Sequence, residues 1–131
     1  MIDTTNKTLQ QVSDEIAAAL IKQGKQCVDD EGNFVYRDNE GNHCAIGHLL
    51  EPNSKTMGST DILVGILAEF DDDEIGVNND FLCIHIDPLC YIQSIHDTTS
   101  QKTALRYLMM LEQHYSLDIS AWSEWIEAMP H

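Results

Sequence analysis

Positive charge is what this sequence has least of: 7 Lys and Arg stand against 22 Asp and Glu in 131 residues, a formal net charge of −15. A chain this acidic repels nucleic-acid phosphates and anionic headgroups, so neither direct nucleic-acid binding nor a membrane-surface role is expected. Long apolar runs are missing too. The longest, Ile62 to Ala68, is seven residues with a glycine inside it, far short of the roughly 20 that span a bilayer. The stretch Met1-Ile2-Asp3-Thr4-Thr5-Asn6 lacks a basic region followed by an apolar core, so no signal peptide is expected and the reading is cytoplasmic. Four cysteines, Cys27, Cys44, Cys83 and Cys90, do not form a disulfide framework. They are expected as free thiols in a reducing compartment.

What is there suffices for a fold. Hydrophobic residues make up 43% of the chain, enough for a packed core and too many for an acidic disordered tail. The chain reads without an internal repeat or a dividing linker, as one domain over 1–131. Thr8 caps a first helix whose Leu9, Val12, Ile16, Ala19 and Leu20 recur at spacings of three and four, and Gly24 stops it. Turn-rich Asp29-Asp30-Glu31-Gly32-Asn33, β-prone Phe34-Val35-Tyr36 and the turn Asn39-Glu40-Gly41-Asn42 read as a small hairpin, with Cys27-Val28 opposite.

A short helix is expected from His43 to before Pro52. Another, capped by Thr60, carries the stripe Ile62, Leu63, Ile66, Leu67 and Phe70. The segment Phe81–Ile86 is ambiguous between strand and helix. Asp87-Pro88 opens a helix to Asp97, Ser100 caps the next, and Ser120 a last short one with Trp122 and Trp125. The expected fold is therefore α-dominated α+β: five or six short helices with a small β-hairpin. Its core holds Val12, Ile16, Leu63, Ile66, Leu67, Ile92, Leu105 and Leu108, with the two tryptophans docked on it.

Three constellations could carry chemistry. Cys44 follows a glycine turn at the expected start of a helix, where a thiolate is favoured, and His96 with Asp97 could supply a base and its orienter. Adjacent helical residues diverge by about 100°, which makes Gln93, one turn back, the better neighbour for either. The competing reading is structural: Cys44, Ala45 and Gly47 are small residues that permit close packing. Metal ligation by Cys44 and His48, or by Cys83, His85, Cys90 and His96, lacks the paired spacing of a structural zinc site. No metal and no cofactor are expected.

The third constellation is the charge. Residues 69–80 hold Glu69, Asp71, Asp72, Asp73, Glu74 and Asp80 without a Lys or Arg, and 29–40 hold Asp29, Asp30, Glu31, Asp38 and Glu40 against Arg37. Solvated loops are the ordinary reading. Calcium is a weak one, because Asp71 to Glu74 lacks the alternating ligands and central glycine of an EF-hand loop. A joint acidic surface for a basic partner is the functional reading.

Gln23-Gly24-Lys25, Tyr36-Arg37 and Gly41-Asn42-His43-Cys44-Ala45-Ile46-Gly47-His48-Leu49-Leu50-Glu51-Pro52 resemble a group of small uncharacterised phage and prophage proteins. That group carries Tyr-Arg, a glycine turn and Cys-Ala-(Ile or Val)-Gly-x-Leu, with Leu-x-x-Gln-x-x-His-Asp downstream. Here Ile92-Gln93-Ser94-Ile95-His96-Asp97 matches the latter part, and Leu89 is out of register. The resemblance implies a phage or mobile-element setting and no mechanism. The combined expectation is an acidic interaction module that binds a basic surface of a host protein through Asp71, Asp72, Asp73, Glu74, Asp29, Asp30 and Glu31, inhibiting a defence or nucleic-acid-handling system. A small cysteine-dependent enzyme using Cys44 with His96, and a structural or oligomerising module, are the alternatives; the oligomeric state is left open.

Overall fold

The computed structural model describes residues 1–50 and 78–129. Among them are five α-helices: α1 (Leu9–Gln23), α2 (Asn79–Ile84), α3 (Ile86–His96), α4 (Gln101–Tyr115) and α5 (Ser123–Glu127). Two 3-10 turns, Ile46–Leu49 and Ser120–Trp122, complete the set. The expected helix over 62–70, with Leu63, Ile66 and Leu67, lies outside the described residues.

α1 forms for reasons written at both ends. The Thr8 side chain accepts from the Gln11 N–H while the Gln11 side chain accepts from the Thr8 N–H, a reciprocal cap. Gly24, at φ +80°, takes the left-handed conformation that ends the helix and donates back to Leu20 O. Its inner face, Val12, Ser13, Ile16, Ala17 and Leu20, packs against the Ser120–Trp122 turn and α5. Fully buried Trp122 donates its indole N–H to Ser13 Oγ at 3.2 Å, so the one hydroxyl on that face is satisfied.

α3 and α4 make the most extensive helix pair, burying Leu89, Ile92 and Ile95 against Ala104, Leu108 and Leu111. α4 starts where expected, with Ser100 Oγ accepting from Thr103 N–H. α3 begins one residue before Asp87, with His85 at the N-cap position and Pro88 within the first turn, where no helical N–H is missed. Leu105 corrects the expected core: it is 45% exposed, on the same outward face of α4 as Met109. Val12, Ile16, Ile92 and Leu108 are buried, as are both tryptophans.

The hairpin is the larger correction. Among the described residues there is no strand; isolated antiparallel bridges pair Val28 with Phe34 and Arg37 with His43. The cause lies in the run Phe34-Val35-Tyr36, whose neighbours divide their pairing. Val35 N–H donates backward to Cys27 O, and Tyr36 O accepts forward from Cys44 N–H. Each side closes an isolated bridge, completed by Asp29 N–H to Asn33 O on one and Asp38 N–H to Asn42 O on the other. The described fold is all-helical with a bridged loop region.

One buried side chain ties the N-terminal segment to Leu49 and to the start of α2. Asn78 Oδ1 accepts from Thr4 N–H (2.9 Å) and Thr4 Oγ1 (2.7 Å), while its amide donates to Ile2 O and Leu49 O, both at 2.7 Å. The amide's donors and acceptor are all engaged, which is what permits its full burial.

Candidate functional site

The bridged region is built from two copies of one loop. Asp29 Oδ1 accepts from the N–H groups of Glu31 and Asn33, both at 2.9 Å; nine residues later Asp38 Oδ1 accepts from Glu40 and Asn42 at the same distances. Each aspartate's other oxygen receives the Asn side-chain amide, at 3.4 Å in the first loop and 2.9 Å in the second. Gly32 and Gly41 occupy matching left-handed positions, φ +84° and +86°. The residues spell Asp-x-Glu-Gly-Asn twice, at 29–33 and 38–42. This short duplication is the signal that a search for longer repeats passes over.

These bonds fix the electrostatics. The Asn33 N–H first, with the other loop donors, holds the Asp29 carboxyl below its ordinary range. Partial burial pushes Asp38 up, but the Asn42 amide, the loop N–H groups and Lys25 outweigh it and hold Asp38 low as well. Lys25 pairs with Glu40 across the second loop. Asp29, Asp30, Asp38 and Glu40 border one groove of about 370 Å³, shared with Lys25 and Arg37. Glu31 is exposed beside it. Asp71, Asp72, Asp73 and Glu74, the other half of the expected acidic surface, lie outside the described residues.

Beneath the loops the motif residues form a polar clasp. Gln93, 1% exposed on α3, accepts from Ile46 N–H at 2.9 Å and donates to Asp97 Oδ1 at 2.8 Å. His96 Nε2 accepts from Cys27 N–H at 2.9 Å, so the ring proton sits on Nδ1 and is donated to Asp97 Oδ1 at 2.6 Å. Gln26 returns the grip, donating to His96 O at 2.7 Å and Thr98 O at 2.8 Å. On the other side Gln23 mimics a neighbouring strand, accepting from His43 N–H and donating to His43 O, both at 2.9 Å. Asp97 reaches His96 despite following it directly in sequence. It is the C-cap of α3, at φ −84° and ψ 12°, and so escapes the helical offset.

This arrangement does not make Cys44 a nucleophile. The 3-10 turn starts at Ile46 with Ala45 at its cap, later than the helix expected from His43, because Arg37 and His43 are still bridged and Cys44 N–H is bound to Tyr36 O. Cys44 is fully buried, and burial pushes its thiol well above the ordinary value even though Gly47 N–H donates to its sulfur at 3.2 Å. The lone pair His96 would need for proton abstraction is bound to Cys27 N–H. Cys27 is driven up to about 12 and Cys90 to about 11, burial being the main cause in both. Iodoacetamide should therefore label exposed Cys83 first and leave Cys44 and Cys27 unlabelled until the chain unfolds. Peptide-resolved mass spectrometry checks this; Cys44 labelled as fast as Cys83 would restore the enzyme reading.

Among the described residues, no group of three or more His, Cys, Asp or Glu side chains is placed to hold a metal ion. His48, with His43 at 5.0 Å, is pushed down to about 4 by burial and by the neighbouring imidazole, and its Nε2 has no partner among the described residues. It is a half-buried ring held neutral beside His43. No helix of the described residues is long and apolar enough to cross a membrane. Comparison with protein-family models, curated proteins and solved structures finds no match.

Proposed function

We propose that this protein is an acidic interaction module that docks on a basic surface of another protein, using the twin loops at 29–33 and 38–42 as its recognition edge. The observation that carries this reading is that both loops border one groove, each with its first aspartate held ionised by loop N–H groups. Screening at physiological salt falls off over about 8 Å, so carboxylates gathered at one groove act together where scattered ones would not. The loops are pre-shaped by their own hydrogen bonds, which lowers the ordering cost of binding. A basic surface of the kind that nucleic-acid-handling proteins carry is the complementary partner, and the resemblance to phage proteins makes a bacterial host factor the natural target.

The test is affinity capture from bacterial lysate at low and high salt, comparing the wild type with the triple variant Asp30→Asn, Glu31→Gln, Glu40→Gln. These three acids are exposed; the side chains of Asp30 and Glu31 accept none of the N–H bonds that shape the loops, and Glu40 accepts from the Lys25 side chain. A partner retained by the wild type at low salt should be lost, or bound with a flatter salt dependence, by the variant. Equal retention with equal salt dependence would reduce the charge to a solubility device.

A further inference from the structure

A second groove, of about 430 Å³, lies beside the acidic one, and Lys25 and Gln26 line both. Its character is different. Ile21 from α1, Trp125 from α5, Ala128 and Met129 give it a mainly apolar wall, and Glu124 stands at its edge. Trp125 is held firmly there, its ring stacked on His96 at 6.0 Å and 17° between planes. The floor between the grooves is equally fixed, because the Gln26 amide is tied to His96 O and Thr98 O. Around the joined grooves five carboxylates, Asp29, Asp30, Asp38, Glu40 and Glu124, face two cations, Lys25 and Arg37. Lys25 is already paired with Glu40.

We propose that the two grooves form one docking site for an extended segment of a partner protein in which a Lys or Arg lies close to a large apolar side chain. The basic residue enters between the acidic loops and the apolar one seats against Trp125, Ile21 and Met129. Charge complementarity names the first half of this occupant and the apolar wall the second; their continuity across Gln26 requires that both come from one segment. The proposal rests on the acidic-module reading and narrows it from a basic surface to a mixed motif. An apolar anchor beside steering charges is also the division of labour that gives affinity and encounter rate separately.

The experiment is a screen of the purified full chain against an array of randomised octapeptides, followed by titration of the best synthetic peptide with tryptophan fluorescence as readout. Bound peptides should be enriched in Leu, Ile, Met or Phe within two positions of Lys or Arg. Affinity for the chosen peptide should fall about tenfold in Asp30→Lys, which reverses charge at the acidic groove, and about tenfold in Ala128→Gln, which fills the apolar groove without changing charge. Both positions are exposed, and circular dichroism should match the wild type. Enrichment of basic residues alone, with Ala128→Gln binding normally, overturns the two-part site and leaves the acidic module standing. Enrichment of apolar residues alone, unaffected by Asp30→Lys, overturns both. An array with no enriched peptide overturns the docking site, and the lysate capture then judges the broader reading independently.

Discussion

Gly47→Ala should destabilise the fold by about 3 kcal/mol or more, the cost of strong overpacking in a site that cannot move. A Cβ at this position would lie 2.2 Å from Tyr36 O, with Tyr36 C at 3.2 Å and the His43 Cβ at 3.3 Å. The contact is with backbone, and that carbonyl is already bound to Cys44 N–H. Relief would require separating the 3-10 turn from the bridged loops. Gly41→Ala is the control: its Cβ would meet nothing within 4 Å, so only the left-handed backbone at φ +86° opposes it, a penalty of about 1–2 kcal/mol. Urea unfolding of both variants checks the pair. A Gly47→Ala midpoint equal to that of Gly41→Ala would mean the turn is not packed as described.

That glycine also shows what a sequence can and cannot disclose. α1 and α4 are legible because their signals are local: Thr8, Gly24, Ser100, and apolar spacings of three and four; Phe81–Ile86, which reads equally as strand, holds most of α2. Cys44, Ala45 and Gly47 stand out as small residues permitting close packing, but the partner of Gly47, Tyr36 O, is a backbone atom no side-chain pattern reveals. The expected hairpin fails for the same reason. Phe34-Val35-Tyr36 has strand composition, yet its hydrogen bonds are shared between Cys27 and Cys44, a choice made by the Asp-Asn loops on either side. Leu105 fits the helical stripe and faces outward because α3 covers α4 along Ala104, Leu108 and Leu111. Asn78, whose side-chain donors and acceptor are all engaged, gives no sequence signal at all.

The clasp redirects the most suggestive chemistry in the chain. A Cys, a His and an Asp in chain order invite a catalytic reading, and the helical offset argues against one for the wrong reason, since Asp97 does bind His96. What excludes the base is the other nitrogen, bound to Cys27 N–H. Gln93, His96 and Asp97 are thereby accounted for as scaffold. Gln93 holds the turn at Ile46, His96 holds the chain at Cys27, and Asp97 receives both side chains. Those two backbone points lie on opposite flanks of the twin loops, so the loops that present negative charge are positioned by the buried motif.

Replacing His96 should consequently act on stability and on the loops. His96→Ala removes a fully buried ring that packs on Trp125 and, edge-on at 5.8 Å, on Phe34. It leaves Cys27 N–H without its acceptor and Asp97 with one donor fewer. Cavity and lost bonds together predict a loss of about 3–5 kcal/mol. His96→Phe restores most of the ring volume and neither hydrogen bond, so about 2–3 kcal/mol of that loss should remain. Asp97→Asn should be milder, about 1 kcal/mol, because the amide oxygen it introduces can still accept from both Gln93 and the Nδ1–H of His96. Urea unfolding of the three variants should rank His96→Ala worst and Asp97→Asn best, and ¹⁵N spectra of the wild type should show the His96 proton on Nδ1. If Asp97→Asn proves as damaging as His96→Ala, the carboxylate charge matters beyond its hydrogen bonds. A proton on Nε2 instead would break the bond to Cys27 and with it the clasp.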